Sequence, residues 1–345
     1  MKAVRIHEHG GVDKLRYEEA PLPAINAPNE VLVRLAAAAL NHVDIWTRMG
    51  VTGIEVPMPH ILGADGSGVV AEVGDRVRSV KPGDRVCLYS FTGCGGCEFC
   101  LTGRDFMCIR IRSLGSRLDG TYAEYVKTVE ENCFSVPSYM SFHQAAAFPL
   151  VFITVWRMLV TNARLQPGET LLVIGIGGGI ASAALQLAKK IGARVIVTSG
   201  SDAKLERARN LGADHVVHHR RTDFAEAARE LTSGRGVDVV LDCVGGEVWT
   251  KSLASLARGG RLVTCGATAG AEPLDDLEAI AGKYLKIYGS TLGSREEFRR
   301  LLSFLEVARI EPIIDSVFPL SEAAAAQERM EQARQFGKIV LDIPR

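Results

Sequence analysis

The sequence predicts an α/β protein with a mostly β domain and a doubly wound parallel-sheet domain. The chain has 345 residues, which is longer than one hydrophobic core usually supports. Up to about residue 136 it reads as short β segments separated by Gly, Pro and Asp turns. From residue 142 onward, helical patterns alternate with apolar β runs. Strands that are buried on both faces and joined by helices are typical of a parallel sheet.

The elements of the first domain are predicted from β runs at residues 31–35, 68–73 and 85–89, followed by an Ala-rich helical run at 142–159. The strands of the parallel sheet are predicted at residues 170–175, 194–198, 237–242, 260–265 and 285–289. The helices between these strands are predicted at residues 181–191, 203–211, 223–231 and 248–257. Residues 296–345 add two helical patterns and a last strand at 338–342.

The composition predicts a small-molecule substrate. The 40 Lys and Arg residues balance 40 Asp and Glu residues, so no net field attracts nucleic acid or an anionic membrane. The N-terminus lacks the apolar segment of a secretory signal, and the apolar stretch at 145–156 is too short to span a bilayer. We therefore expect a cytoplasmic protein. In a reducing compartment, its eight cysteines favour metal binding over disulfides wherever they cluster.

Four cysteines cluster in a Gly-containing loop with the spacing Cys-x2-Cys-x2-Cys-x7-Cys. They are Cys94, Cys97, Cys100 and Cys108. Four thiolates that leave no open position describe a closed, tetrahedral structural zinc site. An iron–sulfur cluster is the alternative, but bacterial ferredoxin motifs continue with x3-Cys-Pro, which is absent here. The other cysteines lie singly in β runs and are interpreted as small core residues, namely Cys87, Cys133, Cys243 and Cys265.

A glycine-rich segment at residues 175–181 follows the first strand of the parallel sheet and precedes a helix. Glycines allow the backbone to approach a pyrophosphate closely, and the helix N-terminus supplies amide donors. A strict G-x-G-x-x-G is absent, so the prediction depends on the strand, loop and helix context. The residues expected to bind the dinucleotide here are Gly175, Gly178, Gly179 and Ile180.

The end of the second strand of the parallel sheet predicts NADP rather than NAD. An NAD site normally carries Asp or Glu about 20 residues after the glycine loop, where this chain has Ser199. Ser199, Ser201 and Lys204 can instead bind a 2′-phosphate, with His219 or Arg220 adding charge. The alternative for Lys204 is a solvated position on a helix face.

Four segments carry a family resemblance. They are Asn41-His42-Val43-Asp44, the run 145–150 leading to Thr154, the spacing of Gly175, Gly178 and Ala181, and Phe336-Gly337-Lys338. The chain resembles the medium-chain dehydrogenase/reductase superfamily over essentially its whole length. It is similar to zinc-type alcohol dehydrogenases in the cysteine lobe and to the quinone oxidoreductase branch elsewhere. The resemblance implies a GroES-like catalytic domain at 1–152 with a zinc lobe at 94–108, a Rossmann NADP-binding domain at 153–292, and a segment at 293–345 that returns to the catalytic domain.

The resemblance also indicates that the catalytic zinc is missing. The family's three ligand positions, Cys, His and Cys, correspond here to Asn41, Ala64 and Leu150, which cannot replace those ligands. A different metal site built from His42, His60 and Asp65 is an alternative. Without zinc, hydrogen-bond donors must stabilise the oxygen of the substrate; Asn41 is the first candidate and His42 the second, as a donor or proton relay. Asp44 is interpreted as a brace for the loop.

The implied function is NADPH-dependent reduction of a quinone or an α,β-unsaturated carbonyl. The alternatives are a zinc-type alcohol dehydrogenase or aldehyde reductase, and a non-catalytic, nucleotide-dependent binding protein. By resemblance, the residues expected at the nicotinamide are Thr154, Val244, Gly266, Ala267 and Ser290, and Lys338 is also assigned to the cofactor. A homodimer or homotetramer is expected through the edge of the Rossmann sheet at residues 285–289.

Overall fold

The computed structural model describes residues 1–270 and 277–344. The chain divides into two compact units. The first unit combines Met1–Leu150 with Ser294–Arg345, and the second is the continuous segment Val151–Gly293. Within the described residues, no helix has the length and apolar character needed to cross a membrane.

The strands are, in chain order, β1 (Lys2–Ile6), β2 (Arg16–Glu19), β3 (Glu30–Ala39), β4 (His60–Ile61), β5 (Asp65–Val73), β6 (Arg85–Leu88), β7 (Phe91–Thr92), β8 (Arg112–Ser113), β9 (Tyr125–Val129), β10 (Cys133–Ser135), β11 (Thr170–Val173), β12 (Arg194–Ser199), β13 (His215–His218), β14 (Val237–Leu241), β15 (Leu256–Thr264), β16 (Lys286–Gly289), β17 (Ile314–Pro319) and β18 (Lys338–Asp342).

The α-helices are α1 (His42–Met49), α2 (Glu98–Leu101), α3 (Phe142–Ala147), α4 (Pro149–Trp156), α5 (Gly179–Ile191), α6 (Asp202–Asn210), α7 (Phe224–Glu230), α8 (Val248–Ser255), α9 (Leu277–Gly282), α10 (Arg295–Ala308) and α11 (Ala323–Glu331). A π-helix at Arg157–Asn162 continues α4.

The first unit is built around a sheet in the order β10-β6-β5-β3-β18-β17, with β9 also paired to β3. Its core contains inward-facing residues of β3, including Val31, Val33 and Leu35. The last strand, β18, pairs antiparallel with β3, so that Val340 lies opposite Ala39. This register brings the first residue of β18 close to the loop that follows β3, where the candidate catalytic residues lie.

The second unit contains a parallel sheet in the order β13-β12-β11-β14-β15-β16. Counted from β11, this is the 3-2-1-4-5-6 order of dinucleotide-binding folds. The sheet's core residues are fully or almost fully buried, among them Leu172, Ile196, Val240 and Leu262. The predicted fold class, with a mostly β unit and a doubly wound parallel sheet, is confirmed. The edge strand β13 was not predicted.

Candidate functional site

The glycine-rich loop connects β11 to α5. Gly175 and Gly177 adopt positive φ values of 76° and 149°, which L side chains rarely adopt. The loop is anchored on β12, because the Gly175 amide donates to Thr198 Oγ1 at 3.0 Å and the Ile176 amide donates to the Thr198 carbonyl at 2.7 Å. At Gly178, the N-cap of α5, a Cβ would meet no atom within 4 Å. The backbone is therefore open on this side, as close approach of a phosphate requires.

The predicted cofactor residues of the second unit come after the ends of parallel strands. Gly175 follows β11, Ser199 ends β12, Val244 follows β14, Gly266 follows β15 and Ser290 follows β16. Because the carboxyl ends of parallel strands meet at one edge of a sheet, these residues share that edge. This is the edge at which open α/β sheets bind their ligands.

Basic side chains converge around the end of β12. A Cβ added at Gly200 would lie 2.6 Å from Arg220 Nε and 3.0 Å from His219 Nε2, and one added at Gly177 would lie 2.8 Å from Lys204 Nζ. Lys204 therefore covers the glycine loop, while Arg220 covers the turn after Ser199. Burial, with Arg220 and His218 nearby, lowers the pKa of His219, so its ring is neutral at neutral pH. The positive charges here are Lys204 and Arg220.

The serines predicted at this turn have defined roles. Ser199 is buried, and its hydroxyl accepts a hydrogen bond from the Ser201 amide at 3.2 Å. The nearest downstream acid is Asp202, the first residue of α6. Its carboxylate forms a two-point ion pair with Arg221, at 3.0 and 2.7 Å, and this side-chain hydrogen bonding lowers the pKa of Asp202. The carboxylate is thus already neutralised by a side chain.

Two hydroxyl groups predicted near the nicotinamide differ in whether they have a hydrogen-bond partner in the protein. Thr154 is buried and donates to the Thr291 carbonyl at 3.1 Å. The Ser290 amide donates to the Thr264 carbonyl, but its buried hydroxyl oxygen has no partner among the described residues. A buried hydroxyl of this kind is costly unless a ligand or water bonds it. Together with the open backbone at Gly178, it fits a bound dinucleotide.

A buried polar network in the first unit contains Asn41, Asp65 and Lys338. Lys338 Nζ donates to Asn41 Oδ1 at 2.6 Å and to Asp65 Oδ2 at 3.2 Å. Asn41 Nδ2 also donates to Asp65 Oδ2, at 2.9 Å. All three residues are at most 5% exposed. Both ends of the Asn41 amide are therefore committed to protein partners, and Lys338 supplies a buried positive charge.

Asp44 braces the loop before α1. Its Oδ2 accepts from the Asn41 amide at 2.8 Å and from the Tyr122 hydroxyl at 3.0 Å. Its Oδ1 is buried and has no partner among the described residues. Burial raises the pKa of Asp44 to about 7, although the bond from the Asn41 amide and the charge of Lys338 oppose the shift.

His42 is the first residue of α1 and is half-buried. Its ring lies 5.9 Å from that of Trp46, and within the described residues its nitrogens have no hydrogen-bond partner. Burial, followed by the charge of Lys338, lowers the pKa of His42. A neutral imidazole carries one donor and one acceptor, so His42 can donate to an oxygen or pass a proton. Of the two predicted catalytic residues, His42 has the uncommitted side chain.

The three positions that the family resemblance assigns to catalytic zinc ligands meet around Asp65. Asn41 bonds its Oδ2, Ala64 precedes it in the chain, and the Leu150 amide donates to its Oδ1 at 2.9 Å. An amide committed to other partners, a methyl group and an isobutyl group do not form a zinc ligand set. The cation at this place is the ammonium group of Lys338, which bonds Asn41 and Asp65. The residues present therefore do not fit a catalytic zinc.

The alternative metal site does not assemble either. His60 is buried, with its Nδ1 3.5 Å from an oxygen of Asp119, and burial lowers its pKa. Over residues 1–270 and 277–344, the cysteine cluster is the one group of potential ligands close enough to share an ion. Neither His60 nor His42 belongs to it.

The four clustered cysteines do converge. The Sγ atoms of Cys94, Cys97, Cys100 and Cys108 all lie within 4.8 Å of one another. The Cys94 amide donates to Cys108 Sγ at 3.2 Å. The Gly96 amide and the Arg110 guanidinium lower the pKa of Cys94 to about 5, which favours the thiolate that zinc binds. This set fits one tetrahedral zinc ion.

The interpretation of the remaining cysteines needs one correction. Cys87 and Cys133 are buried core residues, as interpreted from the sequence. Cys243 and Cys265, however, are half-buried and lie with their sulfur atoms 3.2 Å apart. The Lys338–Asp65 contact was not predicted from the sequence. The available sequence signal was Gly337, which marks the entry to β18 just before Lys338. Only glycine fits there, because the backbone has a φ of 106° and approaches Ile313 closely.

Comparison with known proteins gives matches over both units. The model of the alcohol dehydrogenase GroES-like domain matches residues 27–138, and that of the zinc-binding dehydrogenases matches residues 179–307. A zinc-type alcohol dehydrogenase-like protein of Schizosaccharomyces pombe is 33% identical, with 97% of each chain covered. The human quinone oxidoreductase is 28% identical, covering 99% of this chain and 97% of that one. The crystal structure of an NAD-dependent alcohol dehydrogenase is 42% identical, with a TM-score of 0.96 over 100% of both chains.

Proposed function

The chain belongs to the medium-chain dehydrogenase/reductase superfamily and is an oxidoreductase of that family, and on that premise we propose that it uses NADPH to reduce a quinone or an α,β-unsaturated carbonyl without a catalytic zinc. One observation carries the proposal. Where a zinc-dependent relative needs metal ligands, this chain has an amide, Asn41, hydrogen-bonded to a buried ammonium group and a carboxylate. Saturated alcohols need a metal to lower their pKa, whereas conjugated acceptors need only a hydride and a hydrogen bond to oxygen.

His42 is the residue proposed to donate that hydrogen bond. Its nitrogens have no partner in the described part of the chain, and its lowered pKa keeps the ring neutral, with one N–H to donate. Asn41 is proposed to act less directly. Its backbone amide holds Asp44, and its side chain links Lys338 to Asp65, so it fixes the start of α1, on which His42 stands. This reverses the order of the two candidates expected from the sequence.

The proposed cofactor, NADP(H), supplies the hydride when bound. Lys204 and Arg220 offer two positive charges around Ser199, and the nearby Asp202 carboxylate is paired with Arg221. A 2′-phosphate carries about two negative charges, so this arrangement favours NADP over NAD. Ser199 and Ser201 are proposed to bond the same phosphate, and Lys338, bound within the buried network, is proposed to act on the cofactor only through its charge.

The cysteine cluster is proposed to bind one structural zinc ion. The exposed strand β16 is an edge of the parallel sheet, and we propose it as the contact that forms a homodimer or homotetramer in the cytoplasm.

The decisive experiment measures NADPH and NADH oxidation by the full-length protein with a 1,4-benzoquinone, an enone, a simple aldehyde and a simple ketone, alongside alcohol oxidation with NADP⁺ and NAD⁺. We expect turnover of the quinone and the enone, with the higher kcat/KM for NADPH. A zinc-dependent oxidation of simple alcohols that exceeds quinone reduction would refute the proposal. It would instead favour an alcohol dehydrogenase, as several relatives are named.

A further inference from the structure

We propose that Cys243 and Cys265 are a redox-active dithiol that a peroxide converts to a disulfide, and that this disulfide weakens dinucleotide binding. The pair belongs to the second unit and lies outside the proposed zinc and catalytic residues. Its sulfur atoms are 3.2 Å apart, within hydrogen-bonding distance of each other.

The pairing follows from the parallel sheet. Leu241 of β14 is paired with Val263 of β15. Cys243 lies two residues after Leu241, and Cys265 lies two residues after Val263. The Asp242 amide still donates to the Val263 carbonyl beyond the end of β14, so the two chains remain side by side where the thiols meet. A disulfide has an S–S length of about 2.05 Å, so closing the bond requires the sulfur atoms to move together by roughly 1 Å.

The other neighbouring pair of free cysteines provides a contrast within the same chain. Cys87 and Cys133 are on the antiparallel neighbours β6 and β10, but each thiol is directed to a backbone carbonyl, of Phe134 and Val129 respectively. Both are buried, whereas Cys243 and Cys265 are half-buried. The thiols of the second pair already face each other, whereas those of the first pair do not.

In the reduced pair, Cys243 is held as a protonated thiol, because the neighbouring Cys265 thiol and burial raise its pKa. The oxidant is a hydroperoxide. One thiol loses its proton and attacks the terminal peroxide oxygen, which breaks the O–O bond, forms a sulfenic acid and releases an alcohol, or water from hydrogen peroxide. The second thiol then attacks the sulfenic sulfur, forming the S–S bond and releasing water. Two thiols are thus oxidised while one peroxide is reduced.

The cysteines are joined to loops that contact each other. Asp242 Oδ1 accepts from the Val244 and Gly245 amides at 2.8 and 3.0 Å, and the Ala269 amide donates to the Val244 carbonyl at 2.8 Å. A Cβ at Gly245 would lie 3.0 Å from that of Ala267. Drawing the sulfur atoms together therefore shifts the loops that carry Val244, Gly266 and Ala267. The effect on binding rests on the proposed function, in which these residues line the nicotinamide.

The first experiment identifies the bond itself. The zinc-loaded, full-length protein is treated with cumene hydroperoxide, alkylated without reduction, digested with trypsin and analysed by mass spectrometry. Cleavage after Arg235, Lys251, Arg261 and Lys283 places the two cysteines in separate peptides, 236–251 and 262–283, with one cysteine in each. We expect these peptides to appear joined and lighter by two hydrogen atoms. If both remain alkylated while other cysteines oxidise, the dithiol proposal is wrong.

The second experiment measures NADPH binding before oxidation, after oxidation and after reduction with dithiothreitol. We expect about tenfold weaker binding in the oxidised protein, which is within the usual range of coupling between sites, and recovery on reduction. Cys265→Ser should abolish the change, and the control variant Cys133→Ser should retain it. Joined peptides with unaltered NADPH binding would overturn the coupling. Failure of the reduced protein to prefer NADPH over NADH would contradict the proposed function instead, while the cross-link would still form.

Discussion

The Nζ atom of Lys338 lies 2.6 Å from Oδ1 of Asn41, although the two residues are 297 positions apart in the chain. The contact places a buried ammonium group among residues at the positions that the family resemblance assigns to catalytic zinc ligands. Lys338 is almost completely buried, so its positive charge is compensated by the Asp65 carboxylate and not by solvent.

Replacing Lys338 by Met should destabilise the first unit. The variant leaves the Asp65 carboxylate buried without its cation, which typically costs about 3–5 kcal/mol. Urea denaturation of the full-length protein measures this free energy of unfolding. The double variant Asp65→Asn, Lys338→Met is the control and should recover part of the loss, because neither charge remains. A cost for Lys338→Met no larger than that of a surface ion pair, under about 1 kcal/mol, would contradict this role.

Replacing His42 by Ala should lower kcat for the best acceptor by about 100-fold, because removal of one preorganised donor to a developing oxyanion has about that effect. The free energy of unfolding should change little, since His42 has no hydrogen-bond partner among the described residues. His42→Asn retains a donor and should recover part of kcat. If Asn41→Ala loses activity at full stability while His42→Ala does not, the donor is Asn41.

Replacing Lys204 or Arg220 by Ala should weaken NADPH binding by at least about tenfold each, because a hydrogen bond to a charged group contributes about 1.5–3 kcal/mol and about 1.4 kcal/mol corresponds to tenfold. NADH binding should change less with Arg220→Ala, because Arg220 lies at the turn after Ser199 rather than over the glycine loop. Lys190→Ala removes an exposed charge at the far end of α5 and is the matched control. Titration by fluorescence checks all three variants. Tighter binding of NADH than of NADPH to the unmodified protein would rule out the assignment.

Replacing Cys100 by Ser should remove the structural zinc and destabilise the lobe at 94–108, because a closed zinc site contributes its binding energy to folding. Elemental analysis should find one zinc per chain in the unmodified protein and less in the variant. Limited proteolysis should then cleave first within the lobe. A second tightly bound zinc, or iron with a visible absorption band, would contradict the ligand assignment.

The Asp44 carboxyl should make stability fall as the pH rises towards 7. Burial raises its pKa from 3.8 to about 7, and the charge of Asp65 acts in the same direction, whereas the Asn41 amide, the charge of Lys338 and the Tyr122 hydroxyl oppose the shift. The folded state therefore favours the protonated form, whose contribution is complete below about pH 4 and lost as the pH passes the folded-state pKa. Each unit of pKa shift corresponds to about 1.4 kcal/mol. Asp44→Asn keeps an acceptor for Tyr122 and should lack this slope in urea unfolding; parallel pH profiles would refute the shift.

The sequence predicted the fold where local pattern decides it. The strands of the parallel sheet are apolar on both faces, so β11, β12 and β14 are visible as runs of Val, Ile and Leu. The strand β13 has the sequence His-Val-Val-His and lies at the sheet edge, where only one side is paired and polar residues are accepted. Its length and composition therefore give little signal, and the same holds for β17, which contains Asp315 and Ser316.

The candidate site was predictable only where its residues lie close together in the sequence. The four clustered cysteines lie within 15 residues of sequence, so their spacing alone indicates a common ion. The contact of Lys338 with Asp65 joins residues 273 positions apart and depends on the register of β18 against β3, which residue patterns do not specify. The Cys243–Cys265 pair likewise depends on the order of β14 and β15 in the sheet. Such long-range neighbours emerge only from topology.

The position of β18 has a consequence for synthesis on the ribosome. The strand is inserted between β3 and β17, so the principal sheet of the first unit remains open until the last residues have emerged. The second unit is continuous in sequence and contains its whole parallel sheet by residue 289. Domains of a nascent chain generally fold as units once they are complete. The second unit, although it begins after the first, is therefore the first that can fold. Until the last strand has emerged, residues 37–39 at the end of β3 lack their β18 partner, although β9 can already pair with residues 30–34, and an unpaired strand edge of this kind is prone to aggregation.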